Sequence, residues 1–305
     1  MDHELKEEGE GESEERPDAF WLGHCPFMSL YLKKLHLRGV SVDKCFAKNL
    51  FSGCTALEDL DMINCVILAT EFSSTTLKRL SIDYHGFCRS EGYDYEDIVI
   101  NMPSLISLHI GALCTMLSLV DVQSLITASV CLDDQNATFA GASNILGALS
   151  SVKNLELLFP VCVGGEYSLQ RNIQLCQVEF TNLTTLSISD WCLHDNCKVL
   201  LYMLKHSPNL VELTLKMREL FGSEHFALCR SIAAVDCPFK ETMRRFQCEK
   251  LKKVEIICPQ GDRRVGMLVT ILLTRIISAP EISVKPSPDI PWNTAYFSYK
   301  WTSLG

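Results

Sequence analysis

The spacing LxxLxL returns nine times along the chain, beginning at Leu32, Leu57, Leu77, Leu105, Leu125, Val152, Leu183, Leu210 and Leu251, with conservative apolar replacements. Successive starts lie 25, 20, 28, 20, 27, 31, 27 and 41 residues apart. In a short strand alternate side chains share a face, so the fourth and sixth positions enter one core while the first anchors the approach. One such strand cannot bury itself. A parallel stack of them can, with the rest of each repeat returning along the outside as helix or irregular backbone.

Most of these intervals fall in or near the roughly 20 to 29 residues of leucine-rich repeats. The expected fold is therefore α/β: a leucine-rich-repeat solenoid with parallel strands on the concave side and helices and irregular segments on the convex side. DNCKVLLYMLKHSPNL, residues 195–210, supplies a return leg, because Val199, Leu200, Met203 and Leu204 recur at helical spacing before Pro208. The longer consensus LxxLxLxxN/CxL is filled by Leu57, Leu60, Met62, Cys65 and Ile67. Its Asn/Cys position holds Val40, His85, Leu113, Trp191 or Arg218 elsewhere, so a regular asparagine ladder is not expected.

A 47% hydrophobic composition is ample for a long core. The formal charge of −9 is concentrated in residues 1–18, where nine acids stand against Lys6 and Arg16. Residues 1–19 read as an acidic, disordered tail. The near-neutral remainder lacks the basic field that nucleic-acid binding needs. The acidic start does not resemble a secretory signal. The most apolar window, 265–277, is shorter than the roughly 20 residues of a membrane span and holds Arg275. A cytoplasmic or nuclear location with reduced cysteines follows, the odd count of 15 fitting no closed disulfide framework.

No constellation of catalytic residues stands out. Cys192, His194, Asp195 and Cys197 cluster in WCLHDNC, but the chain contains no CxxC pair, and a turn with buried thiols is the simpler reading. Gly164-Gly165 has neither the Lys-Ser/Thr of a phosphate loop nor GxGxxG spacing. No metal, cofactor or catalytic site is expected. Trp191 reads as a core residue at a repeat turn. Residues 286–305 mix three prolines with five aromatics and read as a strap over the last repeat, since solenoid ends need caps.

Two stretches carry a family resemblance. NLTTLSISDWCLHDNCKVLLYMLKHSPNLVELTL (182–215) followed by FQCEKLKKVEIICPQGDRRVGMLVTILL (246–273) resembles the leucine-rich and FBD regions of plant F-box proteins. Cys248 precedes the strand of Leu251, Lys252, Val254 and Ile256, followed by a charged turn and an apolar helix. The resemblance spans roughly residues 25–285. It implies a solenoid over 20–240, an FBD-like terminal repeat over 241–285 and a Pro/aromatic tail over 286–305. It also implies target recognition within a cullin-RING ubiquitin ligase, with an F-box docking on the Skp-type adaptor. Residues 1–27 lead almost directly into the first repeat without a stretch resembling that F-box, so adaptor binding is not expected of this chain.

If the leucines are core, any site lies between them. The third, fifth and seventh positions of each strand face the inner surface, and the candidate protein-binding residues there are Asp59, Asp61, Arg79, Asp83, His109, Glu156, Glu212 and Lys216. Such short, mixed, polar positions suit an unknown protein target. Two other readings are a stand-alone scaffold or decoy, and a hormone-sensing solenoid. The inner positions hold no aromatic to line a hormone pocket.

Overall fold

The leucine spacing becomes a continuous parallel sheet. The computed structural model describes residues 20–21, 28–83, 97–111, 117–132, 139–158, 176–189, 194–217, 248–276 and 280–287. Its first half runs β1 (Phe20–Trp21), β2 (Lys34–Arg38), β3 (Val40–Val42), α1 (Lys44–Gly53), β4 (Asp59–Ile63), β5 (Val66–Ile67), β6 (Glu71–Ser73), β7 (Arg79–Asp83) and β8 (Ile98–Asn101). Then follow β9 (Ser107–Ile110), β10 (Leu117–Val120), β11 (Thr127–Cys131), α2 (Phe139–Ala148), β12 (Asn154–Leu158) and β13 (Thr185–Ser189). The described part ends with α3 (His194–Lys205), β14 (Glu212–Lys216), β15 (Lys253–Cys258), α4 (Arg264–Arg275) and β16 (Glu281–Pro286).

Ten strands form one sheet in the order β2-β4-β7-β9-β11-β12-β13-β14-β15-β16, every pair parallel. Nine of them begin two residues after a leading LxxLxL residue. The leucine positions are core: Leu77, Leu105, Val152 and Leu183 are fully buried, and their fourth- and sixth-position partners are nearly so. In the first repeat Leu32 and Leu35 are only half-buried, because β2 has a core neighbour on one side alone.

The return legs change along the chain. Among the described residues, early repeats return through short strands in two outer parallel sheets, β1-β3-β5 and β6-β8-β10. Helices also contribute, α1 in the first repeat and α2, α3 and α4 in later ones. In α1 the Asp43 side chain accepts from the Phe46 amide at 2.7 Å, capping the helix start, while Phe46, Ala47 and Leu50 face the core. In α3 Val199, Leu200, Met203 and Leu204 are fully buried, as their spacing predicts. The Tyr202 hydroxyl donates to the Cys176 carbonyl and accepts from the Val178 amide at 3.1 Å, tying the incoming chain to that helix.

In the turn after β4, Cys65 is buried and its thiol donates to the Ile63 carbonyl at 3.6 Å. The Gly39 amide donates to the same carbonyl at 3.0 Å, which ties this turn to the previous one. A different side-chain ladder runs where the strands begin. Ser104 donates to the Thr75 carbonyl at 2.7 Å, Asn182 to Ser151 at 3.3 Å and Asn209 to Thr181 at 2.6 Å. Each donor is the residue just before the leading leucine, and each acceptor lies in the preceding repeat.

The tenth strand, β16, crosses the boundary that the sequence suggests at residue 285, pairing with β15 from Lys253↔Glu281 to Cys258↔Pro286. Its first position is Ala279 rather than a large aliphatic residue, which hides its AxxIxV spacing. The acidic tail over 1–19, Trp191, Gly164-Gly165 and most of the Pro/aromatic segment lie outside the described residues. Among the described residues, no helix is long and apolar enough to cross a membrane, which says nothing of β-barrels.

Candidate functional site

Register turns the inner-face positions into rows across the sheet. One row reads Lys34, Asp59, Arg79, Ser107, Thr127, Asn154, Thr185, Glu212, Lys253 and Glu281. The next reads His36, Asp61, Ser81, His109, Ser129, Glu156, Ser187, Thr214, Glu255 and Ser283. Neighbouring strands are roughly 4.8 Å apart, so adjacent side chains in a row touch.

Asp59 sits between two cations. Arg79 reaches its two oxygens at 2.5 and 2.6 Å, and Lys34 approaches at 3.5 Å. Burial pushes the Asp59 carboxyl up, but Arg79 and Lys34 together hold it below the usual value. His36 Nδ1 lies 2.7 Å from Asp61 in the next row. Asp83 closes this patch: a Cβ on Gly111 would come within 2.6 Å of its Oδ1, so glycine leaves room for that carboxylate.

A second group lies at the middle of the sheet. Glu156 accepts from Ser129 Oγ at 2.8 Å and pairs with the Lys216 ammonium. Lys216 is two strands away on β14, and its side chain crosses β13, where Ser187 and Ser189 are short. Burial pushes the Glu156 carboxyl up; Lys216, Ser129 and the nearby His109 outweigh it and hold the group below the usual glutamate range. The Ser187 and Ser189 hydroxyl oxygens are buried, and neither has a hydrogen-bond partner among the described residues.

Asp59, Asp61, Arg79 and Asp83 therefore form one patch on β4 and β7, and His109, Glu156 and Lys216 a second. Glu212 belongs to neither and is exposed beside Thr185 and Lys253. The sequence-based selection omitted an uncharged chain beside the second patch, in which Asn154 donates to Thr127 at 3.2 Å and accepts from Thr185 at 2.5 Å. The seventh position of β11, Cys131, is buried rather than part of the inner surface. Seven of the eight described cysteines are buried, and Cys45 is half-buried.

A single, ordered, all-parallel sheet whose outward face carries joined rows of polar side chains defines the leucine-rich-repeat class. Residues 23–278 match the family described as At1g61320/AtMIF1, LRR domain, and the chain belongs to that family. It is also 28% identical over 191 residues to an Arabidopsis thaliana protein whose name reads "Putative F-box protein At3g58960". That match covers 56% of this chain and 38% of the Arabidopsis protein.

Proposed function

We propose that the inner face captures a protein partner and that the chain is the target-recognising part of an F-box-type ubiquitin ligase subunit. The observation that carries this reading is the patch of Lys34, Asp59, Arg79, His36 and Asp61, held on a continuous sheet by side chain to side chain bonds. Such a surface is pre-organised, so little side-chain entropy remains to be lost on binding. The resemblance of residues 246–273 to an FBD region and the likeness to the Arabidopsis protein support the ligase context. The role is non-enzymatic, and cytoplasmic or nuclear residence agrees with cysteines kept as thiols.

The experiment compares the native chain with an Asp59→Lys, Asp61→Lys, Arg79→Glu variant in a purified-library interaction screen. A partner of the native chain is expected to be lost by the variant while the melting temperature stays nearly unchanged, because none of these residues is core. Undiminished binding by the variant would move the site elsewhere. Adaptor docking is not expected from these residues. Purified Skp-type adaptor should be captured only after an F-box is fused ahead of Ala19. Strong capture by the unfused chain would refute that part.

A further inference from the structure

Leu105 and Leu125 lead into β9 and β11 and are buried in the core. The residue after each lies outside it, and in both repeats that residue is isoleucine: Ile106 is 39% exposed and Ile126 41%. The two are neighbours, since the Ile126 amide donates to the Ile106 carbonyl at 2.9 Å. The same backbone link joins Ile106 to Lys78 at 2.8 Å and Lys153 to Ile126 at 2.9 Å. A rim therefore follows the strand-entry edge of the inner face in the order Lys33, Glu58, Lys78, Ile106, Ile126, Lys153.

The apolar pair is not needed by the core, which Leu108, Ile110, Ala128 and Val130 fill from the same two strands. It stands between charged neighbours of unequal standing. On one flank Glu58 holds Lys78 at 3.0 Å and Lys33 at 3.7 Å. On the other, Lys153 is exposed and its ammonium has no carboxylate partner among the described residues, while Glu156 on the same strand is taken by Lys216. The rim is also fixed in place: the Thr184 hydroxyl donates to the Lys153 carbonyl at 3.1 Å. An apolar step bordered by an uncompensated cation has the make-up of an interface core with a charged border.

The spacing selects the ligand. Strands lie roughly 4.8 Å apart, so the middle of the isoleucine pair is roughly 7 Å from the Lys153 strand. In an extended peptide crossing the strands, alternate side chains share a face and are also roughly 7 Å apart. We propose that Ile106, Ile126 and Lys153 bind an extended acidic segment of the protein partner, with an aliphatic side chain on the two isoleucines and an Asp or Glu two residues away on Lys153. This deepens the reading of the inner face as a protein-capturing surface and rests on it.

The probes are short immobilised serine-based peptides carrying Leu and Asp at alternate positions, in both orders, beside versions with Lys in place of Asp or Ser in place of Leu. The native chain should retain the Leu and Asp peptides about tenfold better than either control. Ile106→Thr, Ile126→Thr keeps both residues β-branched and should erase the preference for Leu. Lys153→Glu should reverse the preference from Asp to Lys, a change that unfolding cannot produce. Equal retention of all peptides by the native chain, or the same ranking by both variants, would overturn the proposal. Self-association of the native chain in sedimentation that Ile106→Thr, Ile126→Thr abolishes would overturn it in favour of a second copy. A partner from the library screen that both rim variants keep, but that Asp59→Lys, Asp61→Lys, Arg79→Glu loses, would overturn the rim site and leave the inner-face reading standing; a partner kept by all three would sink both.

Discussion

At the scale of single residues, the inner face and the thiols titrate in opposite senses. The Glu156 carboxyl is held below its ordinary 4.5. The stability it contributes is therefore complete above about pH 4.5 and is lost as pH falls through the lower folded value. Glu156→Gln should cost about 1 kcal/mol at pH 7 by removing a charge-assisted bond to Lys216. The variant should also lose less stability than the native chain between pH 5 and 3, measured by urea unfolding. Burial pushes the Cys197 thiol up to about 12 and the Cys248 thiol up to about 11, from 9.0. A raised thiol keeps its contribution below pH 9 and loses it as pH rises toward the folded value. Both thiols should react with a disulfide reagent at pH 8 only on unfolding, whereas Cys45 reacts in the native state; rapid native modification of Cys197 or Cys248 would contradict their burial.

At the scale of elements, LxxLxL carried most of what was legible. It located nine inner strands because one face of a half-buried strand must repeat every second residue, and helical spacing located α3. The outer strands β3, β5 and β6 are two or three residues long, too short to show any period. The sites were legible as positions and illegible as contacts: sequence names Glu156 and Lys216, but only the strand order shows that they meet across β13. The strand-exit turns explain another unread feature. Gly39 and Asn64, each one residue past its strand, have φ of +64° and +52°. That region is costly for a β-branched residue. Nothing lies within 4 Å of a Cβ built at Gly39, so Gly39→Val should destabilise through backbone strain alone, by about 1–2 kcal/mol. Asn64→Gly should change stability by only a few tenths of a kcal/mol, since glycine enters the region without penalty. Equal effects of the two substitutions in urea unfolding would show that the turn conformation is not the constraint.

At the scale of the whole molecule, each inner strand is stabilised by its immediate neighbours. Interior strands such as β12 and β13 have a parallel partner on both sides. Among the described residues, β2 pairs only with β4 and β16 only with β15. Backbone groups of an edge strand are satisfied by one neighbour, and local opening there disturbs one interface rather than two. Packing adds to the difference. The aliphatic positions of β13, Leu186 and Ile188, are almost wholly buried, while Leu35 at one end and Ile282 at the other are half-buried. Hydrogen exchange should therefore show a gradient: slowest amides on β9 through β14, faster on β4 and β15, fastest on β2 and β16. Leu186→Ala should cost about 2–5 kcal/mol and accelerate exchange in the strands on both sides of β13. Leu35→Ala should cost less and act mainly on β2 and β4. Uniform protection across all ten strands would mean that the array opens as one cooperative unit, against a nearest-neighbour stack.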